Sequence, residues 1–177
     1  MLKKTLFAIT SAITGALAGC VIGAPRTTYH VDDPFSFLAH AASRGIIPVM
    51  VVGEPYPGRR DQVEDVVVQA FARTFSSLGN PFRIMPPRAG EGTKIVIVFN
   101  APRTPLARLV CADPTQFSTT AAQSRTCAAA IYCGDGPYSE YSMSFPTPQS
   151  PEDPKFAEMM GQLAYYAIPR ERNPDRL

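Results

Sequence analysis

The stretch Lys94-Ile95-Val96-Ile97-Val98-Phe99-Asn100 decides the fold, because five consecutive apolar residues stand between two polar ones. An unbroken apolar run of this length is typical of a strand that is covered on both faces, so it predicts a central strand of a sheet. Residues 46–52 form a second β-branched run and a second predicted strand. Pro48 within it has no N–H group and must therefore lie at an edge, at the strand start or at a bulge.

Between these two runs the sequence predicts its clearest helix, over residues 61–78, with a short strand over residues 82–85 after it. Asp61 and Glu64 fit a capping box at the helix start. Its apolar residues recur at the spacing of one buried stripe: Val63, Val66, Val67, Ala70, Phe71, Phe75 and Leu78. A strand, a helix and a strand in this order predict a crossover between two parallel strands.

The flanking segments complete an α+β domain over residues 33–169. A short helix is expected over residues 35–44, started by Asp33-Pro34, and a final helix is expected after Asp153. Further strands are expected over residues 106–111, 128–133 and 138–145, the last two forming a hairpin around Gly134-Asp135-Gly136-Pro137. We therefore predict a two-layer sandwich, in which a mixed sheet of about five strands is backed by two main helices.

The amino-terminal residues have the pattern of an export signal. Lys3 and Lys4 precede a mostly apolar run over residues 5–18, which is too short and too interrupted to span a bilayer. The run ends in Leu17-Ala18-Gly19-Cys20, and an ordinary signal peptide with an incidental cysteine is the other interpretation.

Leu17-Ala18-Gly19-Cys20 resembles the lipobox of bacterial lipoproteins. That resemblance implies a diacylglyceryl thioether on the Cys20 sulfur, cleavage before Cys20 and acylation of the new amino group. Residues 1–19 are then the signal peptide, residues 20–32 a lipidated tether and residues 170–177 a polar tail. Val21 stands where Asp favours inner-membrane retention, so the family analogy favours the outer membrane. Residues 39–56 and 95–100 also resemble exported Gram-negative proteins, a resemblance that implies no activity.

The charge balance argues against nucleic-acid binding. The chain has 17 basic and 15 acidic residues, and residues 1–19 contain two of the basic ones and no acid. The remaining chain is therefore formally neutral, whereas nucleic-acid affinity comes mainly from neutralising phosphates. The expected partners are the membrane, through the lipid on Cys20, and an envelope protein.

Three cysteines follow Cys20, and in an oxidising compartment they predict a disulfide. Cys127 and Cys133 lie six residues apart on one predicted strand, too far apart to be bridged. Cys111 is therefore one partner, and Cys133 is favoured over Cys127 because it ends an apolar run, as Cys111 does. Whether Cys127 is free stays open, and the spacings do not favour a metal site.

Polar residues that could bind a small ligand follow the two predicted parallel strands. Glu54 and Tyr56 come after the first strand, and Asn100 and Arg103 come after the second. Ligands tend to bind beyond the carboxyl ends of such strands. The alternative is that Gly53 and its neighbours only shape a turn.

No known catalytic motif is present, and no cofactor, metal or catalytic residue is predicted. The sequence therefore favours a membrane-anchored, non-catalytic interaction or assembly module of the cell envelope. A small envelope enzyme or ligand-binding protein that uses the Gly53–Tyr56 and Asn100 edge is the alternative.

Overall fold

The computed structural model describes residues 25–90, 92–101, 105–120 and 124–171, and the lipobox and Cys20 lie outside them. Six strands and four α-helices form the described part of the chain. The strands are β1 (Arg26–Tyr29), β2 (Ile47–Val52), β3 (Phe82–Ile84), β4 (Lys94–Phe99), β5 (Arg125–Cys133) and β6 (Pro137–Pro146). The helices are α1 (Pro34–Arg44), α2 (Arg60–Thr74), α3 (Ala107–Ala112) and α4 (Pro154–Ala167).

The strands form one mixed sheet in the order β1-β6-β5-β4-β2-β3, with β4 in its interior as predicted. β2 runs parallel to β4 and β3, whereas β5 and β6 form the predicted antiparallel hairpin. Pro48 fits because the amide of Ile47 donates to Pro81 and the carbonyl of Val49 accepts from Met85 of the chain beyond β3. The nitrogen of Pro48 therefore faces β4, and it needs no N–H group there because pairing with β4 begins only at Val49.

The chain before α1 differs from the prediction of a tether over residues 20–32. Residues Arg26–Tyr29 form the edge strand β1, which pairs antiparallel with β6. Its polar sequence RTTY has no apolar run, so the sequence carries little signal for it. The hydrogen bonds offered by the free edge of β6 explain why this short segment is ordered as a strand.

The prediction of a strand over residues 106–111 is wrong, because this segment forms the helix α3. Its buried residues are Ala107, Val110 and Cys111, which follow helical spacing, whereas Leu106 and Leu109 are exposed. A run of only six residues contains both periods, and its apolar content alone suggested a strand.

The amino-terminal caps of α1 and α4 follow the sequence signals, whereas that of α2 does not. Asp33 caps α1 by accepting from the Ser36 amide, and Asp153 caps α4 by accepting from the Lys155 amide. The capping box predicted from Asp61 and Glu64 is wrong, since α2 already begins at Arg60 and the glutamate pairs with that arginine.

Both faces of the sheet carry buried residues. The larger core lies between one face and the helices α1, α2 and α4, with Leu38, Phe71 and Phe156 among its members. A smaller cluster lies on the other face, where α3 covers Val96, Val98 and Ile131. The architecture is therefore α+β with an open mixed sheet. Its second face, which the two-layer prediction leaves open, is partly covered by α3.

Candidate functional site

The carboxyl ends of β2 and β4 meet at one edge of the sheet, since Val52 pairs with Val98. We call this the carboxyl-end edge. Gly53 turns the chain there with a φ of 88°. A Cβ atom at this position would lie 2.7 Å from the carbonyl oxygen of Phe99, so the two strand ends touch backbone to backbone. Glycine is required here by contact and by conformation.

Asn100 uses its side chain to hold the sheet together at this edge. It is 5 % exposed and has a φ of 49°, in the left-handed region that asparagine tolerates. Its Oδ1 atom accepts from the amide of Cys127 at 2.9 Å, and its backbone oxygen accepts from the Thr120 amide at 3.1 Å. The Oδ1 atom of Asn100 is therefore bonded within the protein, whereas its buried Nδ2 atom has no hydrogen-bond partner among the described residues.

Glu54 and Tyr56 are likewise turned towards the protein. The Oε1 atom of Glu54 accepts from the Arg59 amide at 3.1 Å, at the entry to α2. Tyr56 is 8 % exposed and packs edge-on against Phe156. Burial, followed by the negative charges of Asp153 and Glu152, raises the pKa of Tyr56 to about 12, so its phenol stays protonated at neutral pH.

Arg103, the fourth polar residue predicted at this edge, lies outside the described residues. The structure thus brings Gly53 close to the end of β4, but it gives Glu54 and Asn100 bonds within the fold. The arrangement of these residues supports the turn-forming interpretation of the edge.

The sulfurs of Cys111 and Cys133 lie at disulfide distance, 1.98 Å apart, which is the pair favoured by the sequence. This bridge fastens α3 to the end of β5. Cys127 is buried on the same strand, and no cysteine among the described residues is a free thiol. Within that same part of the chain, no three metal-ligating side chains come together.

A second site, at the opposite end of the parallel strands, was missed by the sequence analysis. Lys94, the first residue of β4, is only 4 % exposed, and its ammonium donates to the carbonyl of Gly90. It lines a cleft of about 130 Å³ together with Pro48, Arg88, Gly92 and Thr93. We call this the amino-end cleft. Its only sequence signal is a lysine directly before an apolar strand, preceded by a glycine-rich loop.

The electrostatics of the amino-end cleft are unusual for so buried a cation. Burial lowers the pKa of Lys94, Arg88 lowers it further, and the negative charge of Asp113 opposes the shift. The carboxylate of Asp113 is itself occupied, because it accepts hydrogen bonds from Thr115 and Gln116. Lys94 therefore lacks a close carboxylate partner in the described part of the chain.

An apolar groove of about 350 Å³ adjoins this cleft and shares Pro48 and Thr93 with it. Phe37 and Ile46 line the groove, although 45 % and 67 % of their surfaces are exposed. The ring of Phe37 lies 4.7 Å from that of Tyr138, which forms a further wall. The amino ends of β2 and β4 thus combine an apolar wall with buried positive charge.

Comparison with known proteins gives no family for this chain: no protein-family model, no curated protein and no solved structure matches it. Among the described residues, no helix has the length and apolar character needed to cross a bilayer.

Proposed function

We propose that this chain is a lipid-anchored protein of the bacterial cell envelope, with the outer membrane favoured, whose domain is a non-catalytic interaction module. The observation that carries the proposal is the sequence Leu17-Ala18-Gly19-Cys20 after a basic and apolar leader. A cysteine is needed there because its thiol can be alkylated. One acyl chain binds a bilayer only marginally, whereas two or more give a stable anchor.

The anchor would hold the domain close to the bilayer. Five residues lie between Cys20 and Arg26, the first residue of β1, and the six Cα–Cα steps across them span at most about 20 Å. The edge strand β1 and its neighbours would therefore be the part of the domain nearest to the membrane.

Two exposed tyrosines beside β1 offer a contact surface on that side. Tyr165 and Tyr166 are 55 % and 45 % exposed. Tyr166 lies against Tyr141 of β6, with ring centroids 5.1 Å apart, and its carbonyl accepts from the Thr27 hydroxyl of β1. Tyrosine is enriched in protein interfaces because one ring supplies both apolar area and a polar tip. We propose that an envelope protein binds here.

Fractionation and mass spectrometry test the anchor. The mature protein should carry a diacylglyceryl thioether on Cys20 and an acylated amino group, and Cys20→Ser should move the protein from the membrane to the soluble fraction. A Cys20 sulfur found in a disulfide, for example with Cys127, would exclude the thioether and overturn the proposal.

A pull-down with the lipidated protein tests the interaction surface. With Tyr165→Ser and Tyr166→Ser combined, one specific envelope protein should no longer be recovered in the pull-down. Leu106→Ser together with Leu109→Ser is the matched control, because it changes two residues that are also exposed but lie at α3. Recovery of the same proteins with both double variants would exclude the tyrosine surface.

A further inference from the structure

We infer that the amino-end cleft and the adjoining apolar groove form one binding site for a small organic anion, with a phosphate or carboxylate group on an apolar body. This site is independent of the lipid anchor and of the tyrosine surface. Neither the predicted carboxyl-end edge nor any sequence motif assigns it.

Lys94 carries a buried charge that has no carboxylate partner among the described residues. Its side chain is almost fully buried, and an ammonium group has three donors, of which one bonds to a described residue, through the Gly90 carbonyl. A buried charge without a carboxylate partner is unfavourable, and a bound anion removes that cost.

Arg88 places a second positive charge at the cleft. It is exposed, lines the same cleft as Lys94 and forms no hydrogen bond or ion pair in the described part of the chain. Two cations that face one cavity repel each other, whereas an anion between them is attracted by both. The guanidinium also matches the geometry of a phosphate or carboxylate, which it can bind through two parallel hydrogen bonds.

The loop that carries Arg88 also contains two glycines with positive φ. Gly90 and Gly92 have φ values of 134° and 106°, and a Cβ atom at either would meet no atom within 4 Å. Their backbone conformation, and not crowding, is what favours glycine here. Gly90 and Gly92 thereby line the cleft with backbone alone. Glu91 between them lies outside the described residues.

The groove supplies the apolar part of the site. Because Pro48 and Thr93 belong to both cavities, a ligand with its anionic group at Lys94 directs its body towards Phe37 and Tyr138. Arg44 also lines the groove and adds a further positive charge. A ring or short acyl chain there would cover Phe37 and Ile46, which are otherwise unusually exposed.

Calorimetric titration of the full-length protein in zwitterionic nanodiscs tests this site with four probes. Phenyl phosphate carries both features, inorganic phosphate carries only the charge, and phenol carries only the ring. Soluble dihexanoyl phosphatidate presents the same anion on acyl chains. We expect phenyl phosphate or the phosphatidate to bind at least about tenfold more tightly than phosphate or phenol, and the tighter of the two identifies a free metabolite or a lipid as the source. The inference would be overturned if phenyl phosphate bound no more tightly than phenol and the phosphatidate bound no more tightly than inorganic phosphate.

Substitutions locate the binding. Arg88→Gln and Lys94→Met should each weaken binding of the preferred probe by about tenfold, as expected for the loss of a charge-assisted hydrogen bond. Arg108→Gln and Lys155→Met are the matched controls, because both residues are exposed and lie outside the cleft. Arg88 is on the surface, so its variant remains informative if Lys94→Met alters folding. Unchanged affinity in Arg88→Gln would overturn the inference.

Discussion

The two ends of the parallel strands β2 and β4 differ in how their polar groups are used. At the carboxyl end, Glu54 and Asn100 bond to the Arg59 and Cys127 amides of the protein itself. At the amino end, Lys94 is buried and shares a cleft with Arg88, which has no ion-pair partner among the described residues. The polar residues at the expected edge are therefore bonded within the fold, whereas the buried charge lies at the other end of the strands.

Removing the disulfide should give the largest effect, at the amino end. The Cys111–Cys133 bridge closes a loop with a sequence separation of 22. Cys111→Ala together with Cys133→Ala should lower the free energy of unfolding by about 3 kcal/mol in the chain-entropy model. Chemical denaturation measures it. A loss below about 1 kcal/mol would show that the smaller core holds α3 without the bridge.

Gly53→Ala tests whether the carboxyl-end edge is structural. The new methyl group would lie 2.7 Å from the Phe99 carbonyl oxygen at a φ of 88°, so we expect a loss of about 2–3 kcal/mol in unfolding free energy. Gly58→Ala is the matched control, because Gly58 has a φ of 73° but open space around it. It should cost about 1–2 kcal/mol. Equal losses of unfolding free energy in the two variants would show that the contact with the Phe99 carbonyl does not matter for stability.

Lys94→Met tests the cost of the buried charge. Because its pKa is lowered in the folded protein, the unfolded chain binds more protons between that lowered pKa and the ordinary value of 10.5. Stability of the native protein should therefore rise with pH across this window. The variant should lose that rise and gain on the order of 1 kcal/mol at neutral pH. Denaturation at several pH values measures both, and a less stable variant at neutral pH would contradict the account.

Tyr56→Phe should give the smallest effect at neutral pH. The buried hydroxyl of Tyr56 has no hydrogen-bond partner among the described residues, so its removal should change the unfolding free energy by less than about 1 kcal/mol. The raised pKa means that the unfolded chain loses its proton first, so native stability falls as pH rises from 10.0 to about 12. The variant should fall less steeply in that range.

The sequence predicted the parts of the fold that long apolar patterns determine. The strand β4, the stripe of α2 and the β5–β6 hairpin were predicted because their periodicities extend over many residues. β1 was missed because its four polar residues are ordered by pairing with β6, which is a tertiary effect. α3 was taken for a strand because six residues contain too little periodicity to distinguish the two.

The candidate site was harder to predict than the fold. Rules for parallel sheets direct attention to strand ends followed by polar residues, and Asn100 fits them. The structure shows that this asparagine bonds to Cys127, a contact between residues 27 positions apart that no local pattern encodes. Lys94 shares its cleft with Pro48 and the glycine-rich loop, which the sequence alone does not bring together.

Amide chemical-shift mapping of the full-length protein with phenyl phosphate tests the contrast between the two ends most directly. We expect saturable shifts at Arg88, Thr93 and Lys94, with Gly53 and Asn100 unchanged. Shifts concentrated at Gly53 and Asn100, with the glycine-rich loop unaffected, would contradict it.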